Sequence, residues 1–520
     1  MLPVSFYTLG CKLNQNETEA LSDAFGKEGF TVLPLDFSDS KKQVLPENFL
    51  SDAGNSEPLL CIINTCTVTS KAEQKARRII RLCLRCGFTV VVTGCYAQLE
   101  KEDLEKLGKE KKSTGTLFVF PGQGKEKLLD LPRYLADTLK ISDYTDPSNI
   151  KEQLSVAIKK FFCNASLREE KSEIISRNPF SFNPQHFSFH SRSFLKIQDG
   201  CDFSCSYCRV PLARGKSISL GSEEALARLQ ALEKAGMAET VLTGVNICQY
   251  RDTGNPPHTL SKPHGLPELL RYLLDNTERI AIRLSSIEPD THPYTHSDTQ
   301  TGTKVVENFY DVLADRRIRN HFHLSVQSGS DSILAAMGRP YKAEDILRMT
   351  ERLRAIRDDP FIACDIITGF PGETEGDFEK TADLCRKADF AWIHVFPYSK
   401  RPGTKAAAIK EGLVSERVAG ERLKVLMEYA KKGKHAYIRR WQGKTVEATA
   451  ESTGSAPAQT GIKSDFFPFF PALTDNYIKV RISLSSSCRR IAPGNACLCK
   501  IGQVASAAEN GFDAWAELVE

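Results

Sequence analysis

Apolar and amphipathic stretches alternate over roughly the first 130 residues of the chain. Short apolar runs that finish at Cys11, Cys66 and Cys95 have the length of buried strands, and helical patterns such as QNETEALSDAFGKEGF separate them. Ser70 and Glu73 have the spacing of a capping box at the start of the second helical pattern. This strand–helix–strand–helix–strand order predicts a doubly wound parallel sheet.

A strand-and-helix rhythm then repeats six times from Ser193 onward. The strand candidates are SFLKIQ, ETVLTG, RIAIRLSSI, HFHLSVQSG, FIACDIITG and FAWIHVFPYS. Six β/α units predict a partial (β/α)6 barrel, because the closed form needs eight. Beyond residue 440, short β-like pieces separated by Gly, Pro and Ser predict a small β-barrel.

These patterns indicate an α/β protein with three domains. We predict a parallel-sheet domain over 1–140, a partial barrel over 191–438 and a small β-barrel over 439–520. Residues 141–190 are polar and weakly patterned, so we interpret them as a linker or insertion.

Composition supports this organisation and restricts the function classes. The chain has 520 residues, of which 41% are hydrophobic, and this predicts roughly three domains with buried cores. A net charge of +4 is only mildly basic, so a polyanionic partner would have to bind local patches. The sequence shows no run of about eighteen apolar residues and no leader pattern, which predicts a cytoplasmic protein without a membrane partner. Sixteen cysteines then favour metal binding or reduced thiols over disulfides.

Cys201, Cys205 and Cys208 have C-x3-C-x2-C spacing within KIQDGCDFSCSYCRVPLARG. Three thiolates at this spacing can hold three irons of a cuboidal iron–sulfur cluster, which leaves one iron open to bind a small molecule. An open metal position implies chemistry rather than storage. The alternatives are three reduced cysteines in a surface loop or a zinc site, although zinc sites usually close with four ligands.

Cys11, Cys66 and Cys95 each finish a predicted strand of the parallel sheet. Because ligands of open α/β sheets bind beyond the carboxyl ends of the strands, these thiols could converge on a second cluster. Each of them, taken alone, is also a common small hydrophobic residue. Cys61 is the rival to Cys66, but its position within the strand favours the core.

Polar residues gather just beyond the ends of the barrel strands, which is the face that carries the active site in such barrels. This candidate set comprises Thr243, Gly244, Ser286, Glu288, Gln327 and Gly369. Gly244 would let a backbone edge approach a ligand because glycine has no Cβ. An ordinary βα turn explains each of these positions equally well.

Two basic groups are candidates for RNA contact. The first is a stripe on the second predicted helix, formed by Lys71, Lys75, Arg78, Arg81 and Arg85. A solvated helix face explains this stripe at least as well. The second group lies in the small barrel and comprises Lys479, Arg481, Arg489 and Arg490 with the aromatic residues of 466–470. The barrel segment is nearly neutral overall, so charge alone does not establish RNA binding there.

The whole chain resembles the radical-SAM methylthiotransferases, where SAM is S-adenosylmethionine. The matching stretches follow the family's order: TLGCKLNQNETEAL, INTCTVTSKAEQK, TGCYAQ, FLKIQDGCDFSCSYC, LTGVNICQY, RLSSIEP, QSGSDSILAAMGRPY, DIITGFPGETEGDF, HVFPYSKRPGTKAA and TDNYIKVRI. GCKLNQNE and FPYSKRPGT favour the subgroup that modifies N6-threonylcarbamoyladenosine at position 37 of tRNA. The sister subgroups modify isopentenyladenosine of tRNA and an aspartate of a ribosomal protein.

The resemblance implies two 4Fe–4S clusters and SAM as cofactors. Cys201, Cys205 and Cys208 would hold the cluster that cleaves SAM, and Cys11, Cys66 and Cys95 would hold an auxiliary cluster that carries the sulfur. The residues implied to bind SAM are Tyr207, Thr243, Gly244, Ser286, Glu288, Gln327 and Gly369. The resulting 5′-deoxyadenosyl radical would take hydrogen from C2 of the adenine, and a methylthio group would replace it.

The resemblance also implies partners. These are the anticodon loop of a tRNA, an electron donor such as flavodoxin or ferredoxin, and a source of sulfur. The small C-terminal barrel would correspond to the family's RNA-binding TRAM barrel. A hypothesis of a different class is an iron–sulfur protein that binds RNA without catalysis.

The sequence departs from the family's pattern in several places. Arg209 follows the last cluster cysteine, where an aliphatic residue is usual, and Ser325-Val326 replaces the usual Pro-Leu pair. THSDTQTGTK is inserted after Pro293, and FFPFFPA lacks an expected glycine. We therefore expect the packing beside Cys208 to differ from that of other members.

Overall fold

The computed structural model describes residues 2–35, 60–139, 150–171, 178–186, 192–252, 265–289, 309–451, 469–483, 491–505 and 511–519. These residues form two compact units. The N-terminal unit contains the described residues up to 186 together with 209–215. The C-terminal unit contains the remaining described residues.

A five-stranded parallel sheet forms the centre of the N-terminal unit, with strand order β2-β1-β3-β4-β5. The strands are β1 (Pro3–Thr8), β2 (Thr31–Pro34), β3 (Leu60–Thr65), β4 (Thr89–Gly94) and β5 (Thr116–Val119). The α-helices are α1 (Lys12–Lys27), α2 (Ser70–Arg85), α3 (Cys95–Leu99), α4 (Lys101–Gly108), α5 (Leu131–Leu139), α6 (Ile150–Lys171) and α7 (Val210–Arg214). Short 3-10 helices cover Lys125–Asp130 and Pro179–Ser181.

Both faces of this sheet are covered, because side chains alternate between the faces along each strand. Cys61 and Ile63 of β3 pack with residues of α2 and α4 on one face. Leu60 and Ile62 pack with residues of α1, α5 and α6 on the other face. The doubly wound parallel sheet predicted from the sequence is therefore confirmed.

Helix α2 begins differently from the capping box that the sequence suggested. Thr69 is the N-cap residue, and its hydroxyl accepts a hydrogen bond from the backbone N–H of Ala72. Glu73 instead accepts a hydrogen bond from the hydroxyl of Thr67 at 2.5 Å. The capping box of Ser70 and Glu73 was wrong because a threonine one residue earlier already satisfies the helix start.

Helix α6 lies within the stretch 141–190, whose polar sequence predicted a linker or insertion. Its residues Ile150, Leu154, Ala157 and Ile158 are buried in the core beneath the sheet. This part of the stretch is a packed element of the N-terminal unit. The domain boundaries drawn from the sequence stay predictions.

Six parallel strands form the partial barrel of the C-terminal unit. They are β6 (Ser193–Lys196), β9 (Glu239–Thr243), β10 (Ala281–Leu284), β11 (His321–Gln327), β12 (Phe361–Thr368) and β13 (Trp392–Pro397). β6, β9 and β10 form one sheet and β11, β12 and β13 form another, and parallel bridges at Ile282–Ile318 and Ile287–Leu324 connect the two. The predicted partial (β/α)6 barrel is confirmed.

The remaining elements of the partial barrel surround these strands. A two-stranded antiparallel ribbon consists of β7 (Gln198–Asp199) and β8 (Ile218–Ser219). The helices are α8 (Ser222–Lys234), α9 (Leu266–Asp275), α10 (Asp331–Met337), α11 (Ala343–Ile356), α12 (Glu375–Ala388) and α13 (Glu416–Trp441). Short 3-10 helices cover Ile247–Gln249 and Ala406–Ala408.

A closed five-stranded barrel completes the C-terminal unit and confirms the predicted small β-barrel. Its strands are β14 (Thr445–Ala450), β15 (Phe469–Thr474), β16 (Lys479–Ser483), β17 (Ala496–Val504) and β18 (Ala514–Leu518), in the order β14-β15-β16-β18-β17. The interior residues of this barrel share a core with Tyr437 and Trp441 of α13 and with Phe361 of β12. In the part of the chain that the structure describes, no helix is long and apolar enough to span a membrane.

Buried charges join the small barrel to the partial barrel. Glu239 is fully buried and receives hydrogen bonds from Arg283 at 2.6 Å and from Arg319 at 2.8 Å. Arg283 also donates to the backbone oxygen of Thr474 at 3.1 Å. Burial opposes ionisation of Glu239, but the two arginines lower its pKa from the ordinary 4.5 to about 2.

Candidate active site

The loop with Cys201, Cys205 and Cys208 follows strand β7, and all three side chains are half-buried. Within the loop, the N–H of Cys208 donates to the oxygen of Cys205 at 3.1 Å. The backbone of Ser206 anchors the loop. Its N–H donates to the backbone oxygen of Met337 at 2.9 Å, and its backbone oxygen accepts from the N–H of Ala406 at 2.7 Å. The three thiols are therefore presented by a short loop with a defined backbone.

Arg339 contacts this loop through the sulfur of Cys205. Its Nη1 donates to Sγ of Cys205 at 3.2 Å, and its Nη2 donates to the carboxylate of Glu288. The guanidinium lies over the rings of Phe203 and Tyr341, at 5.9 and 4.9 Å from their centroids. Burial disfavours the cation, but Glu288 and its other neighbours outweigh that effect and raise the pKa of Arg339. A permanent cation thus donates a hydrogen bond to the sulfur of the middle cysteine.

Burial also raises the pKa of the Cys201 thiol to about 11. The backbone N–H of Phe203 opposes this shift, whereas Cys205, Glu288 and Asp202 reinforce it. Iron binds the thiolate form, so metal binding at this position must release a proton.

Thr243 and Gly244 lie at the carboxyl end of β9, as predicted. A Cβ on Gly244 would lie 2.8 Å from Oε1 and 3.0 Å from Cβ of Gln198, so a larger residue would require Gln198 to shift. Gln198 in turn donates to the oxygen of Gly200 at 2.7 Å, directly before Cys201. The hydroxyl of Thr243 is buried and has no hydrogen-bond partner among the described residues. A buried hydroxyl without a hydrogen-bond partner, next to a glycine at the end of a strand, is consistent with a site that binds a polar ligand.

Ser286 and Glu288 both have protein partners. The hydroxyl of Ser286 lies 2.7 Å from Nδ1 of His323. Glu288 accepts a hydrogen bond from Nδ2 of Asn246 at 3.2 Å in addition to the one from Arg339. Their contact with SAM stays a prediction, and a ligand hydroxyl would have to share these acceptors.

The last three predicted cofactor residues differ in their surroundings. Tyr207 packs against the apolar cluster that contains Met337 and Phe370, and burial raises its pKa well above the ordinary value. Gln327 has a φ of 68° where the pairing of β11 with β12 shifts register. Gly369 has a φ of +77°, and a Cβ there would lie 2.5 Å from Cβ of Ala419, so backbone conformation and helix packing explain this glycine.

Cys66 and Cys95 directly follow β3 and β4, and Cys11 lies three residues beyond the end of β1. These three strands are neighbours in the sheet. Gly10 has a φ of +108°, and a Cβ there would lie 2.7 Å from Cβ of Cys66. Gly94 has a φ of +100°, and a Cβ there would lie 2.4 Å from the oxygen of Thr65. Glycine before Cys11 and before Cys95 therefore brings both of these turns close to the Cys66 turn.

The pKa of the Cys66 thiol reflects burial and the nearby thiols of Cys11 and Cys95. Burial raises its pKa to about 12, and although the N–H of Val68 opposes the shift, both Cys11 and Cys95 reinforce it. The rival Cys61 is fully buried, and its thiol is hydrogen-bonded with that of Cys83 in the core. The surroundings support Cys66 as the third thiol of this group.

Among the described residues, no three His, Cys, Asp or Glu side chains lie close enough together to hold a single metal ion. A cuboidal cluster makes a different demand, since each cysteine binds its own iron and the three sulfurs need not meet at one point. Sulfur donors without further carboxylate or imidazole ligands are the chemistry that iron–sulfur clusters use. Both cysteine groups fit such a cluster.

Comparison with known proteins identifies the family. The Radical SAM superfamily model matches residues 195–385, and the model of uncharacterized protein family UPF0004 matches residues 3–114. The threonylcarbamoyladenosine tRNA methylthiotransferase MtaB of Treponema pallidum is 38% identical over 87% of this chain and 92% of the relative. The chain belongs to the radical-SAM methylthiotransferase family.

Other members and folds are also similar. The tRNA-2-methylthio-N(6)-dimethylallyladenosine synthase of Cereibacter sphaeroides is 30% identical over 88% of this chain and 89% of the relative. The structure of the radical SAM methyltransferase TsrM of Kitasatospora setae has a TM-score of 0.45 at 15% identity, over 82% of this chain and 85% of that chain. As a member of its family, this methylthiotransferase uses SAM and a 4Fe–4S cluster.

Arg209, the departure beside Cys208, is buried within the N-terminal unit. Its Nη2 pairs with Glu100 at 2.6 Å, and its Nη1 donates to the hydroxyl of Thr67 at 3.1 Å and to Glu73 at 3.4 Å. An aliphatic residue could not satisfy these acceptors. The packing around Arg209 is thus a set of charged hydrogen bonds, and a difference from other members at this position stays a prediction.

The basic groups proposed for RNA contact are partly described. On α2, Lys71, Lys75, Arg78 and Arg85 are exposed, whereas Arg81 pairs with Glu110 at 2.9 Å. In the small barrel, the guanidinium of Arg481 lies over the rings of Phe469 and Phe512, at 4.8 and 4.2 Å. Arg489, Arg490 and residues 466–468 lie outside the described residues, as does the insertion after Pro293.

Proposed function

We propose that this enzyme methylthiolates C2 of the adenine in N6-threonylcarbamoyladenosine at position 37 of tRNA, with two 4Fe–4S clusters. The observation that carries the proposal is that each unit presents its own group of three cysteines, held by glycine turns in one and by anchored backbone in the other. The choice of nucleoside is supported by identity, which is 38% to the threonylcarbamoyladenosine relative and 30% to the dimethylallyladenosine relative.

The reaction explains why two cysteine groups are needed. The C2–H bond of adenine resists acids and bases, so its replacement requires a carbon-centred radical. When bound, a cluster on Cys201, Cys205 and Cys208 would supply reductive cleavage of SAM, and a second on Cys11, Cys66 and Cys95 would supply the sulfur.

The chain's own residues position these groups. Arg339 holds Cys205 and Glu288 in one arrangement, and Gln198 holds the start of the cysteine loop against Gly244. Thr243 offers a free hydroxyl at the same strand end. We infer that SAM binds along this strand end, with its polar groups bonded to these side chains.

The proposal includes partners and a location. We expect the exposed cations of α2 and the Arg481 patch to contact tRNA phosphates and bases. A base in an anticodon loop is already largely unstacked, so presenting it costs at most a few kcal/mol. We expect a cytoplasmic enzyme with a flavodoxin or ferredoxin as electron donor and a separate sulfur source.

Nucleoside mass spectrometry of total tRNA, from cells with and without this gene, tests the substrate. We expect the deletion to remove the methylthio form of threonylcarbamoyladenosine and to accumulate the parent nucleoside. Loss of the isopentenyl counterpart would reassign the enzyme to the sister subgroup. If neither nucleoside changed, tRNA would be excluded as the substrate and ribosomal proteins would be examined.

A further inference from the structure

Helix α7 begins two residues after Cys208, yet its residues pack within the N-terminal unit. Its last residue, Arg214, is buried. Nη2 of Arg214 donates to Oδ1 of Asn14 at 2.7 Å, and Nη1 donates to Oε1 of Glu17 at 3.1 Å. Arg214 therefore contacts helix α1 near the start of that helix, which follows Cys11.

Asn14 joins two of the cysteine turns. Its Nδ2 donates to the oxygen of Leu9 at 2.7 Å and to the oxygen of Thr65 at 3.1 Å. Leu9 stands two residues before Cys11, and Thr65 stands directly before Cys66. One buried amide group thus fixes the distance between the two turns.

Arg214 determines how that amide is oriented. A guanidinium only donates hydrogen bonds and a backbone carbonyl only accepts them. The oxygen of the Asn14 amide must therefore face Arg214 while its nitrogen faces Leu9 and Thr65. Without Arg214, the buried oxygen loses its charged donor and the amide loses its preferred orientation.

Glu17 holds Arg214 in place. Glu17 is fully buried, and its carboxylate also pairs with Nζ of Lys125 and accepts from Nδ2 of Asn64 at 3.3 Å. With both of its branches bonded, the guanidinium of Arg214 has one arrangement available. A lysine in its place could not reach Asn14 and Glu17 with the same planar fork.

We propose that Arg214 is a positioning residue for the auxiliary cluster, acting through the amide of Asn14 on the turns of Cys11 and Cys66. The inference rests on the second cluster of the proposed function and adds a residue that comes from the segment after the SAM-cleaving loop. A change in Arg214 would then alter the auxiliary cluster although no atom of Arg214 is a ligand.

The test uses the full chain with Cys201, Cys205 and Cys208 replaced by alanine, so that any reconstituted cluster lies at the auxiliary site. Into this background we introduce Arg214→Gln, Asn14→Asp and, as a matched control, Arg133→Gln on an exposed position of the same unit. Asn14→Asp keeps an acceptor for Arg214 and removes the donors to Leu9 and Thr65. The measurements are the half-time of iron loss to a chelator and the electron paramagnetic resonance spectrum of the reduced cluster.

We expect Arg214→Gln and Asn14→Asp each to lose iron about tenfold faster than the background and to change its spectrum, while Arg133→Gln does neither. The double variant should lose iron no faster than the worse single variant, because both changes break one chain of bonds. Retention of iron and spectrum in both single variants would overturn the inference. If Arg214→Gln does not fold, by circular dichroism, Asn14→Asp alone decides between these outcomes.

A further variant separates this inference from the proposed function. Replacing Cys11, Cys66 and Cys95 in the same background should remove the remaining iron. If the iron stays, Cys11, Cys66 and Cys95 are not the ligands of the auxiliary cluster. If the iron is lost there but Arg214→Gln behaves as the background does, the proposed function stands and only the role of Arg214 fails.

Discussion

At the scale of single residues, the cysteine loop of the C-terminal unit depends on a charge that local sequence patterns do not reveal. Arg339 lies 134 positions beyond Cys205 and donates to its sulfur. It also pairs with Glu288, 51 positions away. Only the fold brings these three groups together. Arg339 lies in the family-matching stretch QSGSDSILAAMGRPY, but that stretch does not show its contact with Cys205.

Replacing Arg339 by Gln should slow SAM cleavage by about tenfold or more, because a buried charged hydrogen bond to Cys205 is lost and Glu288 is left without its cation. The rate is measured as 5′-deoxyadenosine released by the reduced, reconstituted protein. Arg348→Gln, at an exposed pair with Glu344, is the matched control and should match the wild type. An unchanged rate of SAM cleavage in Arg339→Gln would show that Arg339 has no role in that reaction.

At the scale of elements, tight turns at strand ends determine how closely the cysteine turns of the N-terminal unit approach one another. The sequence showed a cysteine at each strand end, and the strand order places those ends side by side. The sequence did not show that Gly10 and Gly94 are needed for the close approach, because their neighbours come from other strands.

Gly94→Ala should destabilise the protein by more than about 1 kcal/mol, since a positive φ and a contact with the oxygen of Thr65 both oppose a side chain. We also expect less iron in the auxiliary site. Gly26→Ala, in helix α1 with open space around its Cβ, should be neutral or stabilise by about 0.5 kcal/mol. Urea unfolding measures both changes, and equal stabilities for the two variants would contradict this account.

The contact between the two barrels gives a pH prediction. The folded-state pKa of Glu239 lies below its ordinary value, so its ion pairs stabilise the fold fully above pH 4.5 and lose that effect as the pH falls toward about 2. Glu239→Gln should lower the free energy of unfolding at pH 7 by about 3–5 kcal/mol, because Arg283 and Arg319 lose the buried carboxylate that they share.

Acid titration of unfolding distinguishes this effect from general acid sensitivity. The loss of stability between pH 4.5 and about 2 should be smaller in Glu239→Gln than in the wild type. Glu428→Gln, at an exposed pair with Lys431, should leave both quantities unchanged. Parallel pH profiles for the wild type and Glu239→Gln would show that Glu239 does not titrate as described.

At the scale of the whole molecule, periodicity revealed the architecture because it reflects which face of each element is buried. The parallel sheet, the six-stranded partial barrel and the small barrel all followed from repeats in the chain. Helix α6 was missed although Ile150, Leu154, Ala157 and Ile158 recur at helical spacing, because polar residues dominate that stretch. The network of Arg214 and Asn14 could not be predicted, since the two residues are 200 positions apart.

The most direct test of two cysteine groups with separate roles is an assay of reconstituted wild type, Cys205→Ala and Cys66→Ala on a threonylcarbamoylated anticodon stem-loop. Mass spectrometry follows 5′-deoxyadenosine and the methylthio product together. We predict that Cys205→Ala makes neither compound yet retains iron, and that Cys66→Ala still cleaves SAM but inserts no sulfur. Loss of all iron in Cys205→Ala, or sulfur insertion by Cys66→Ala, would contradict the account.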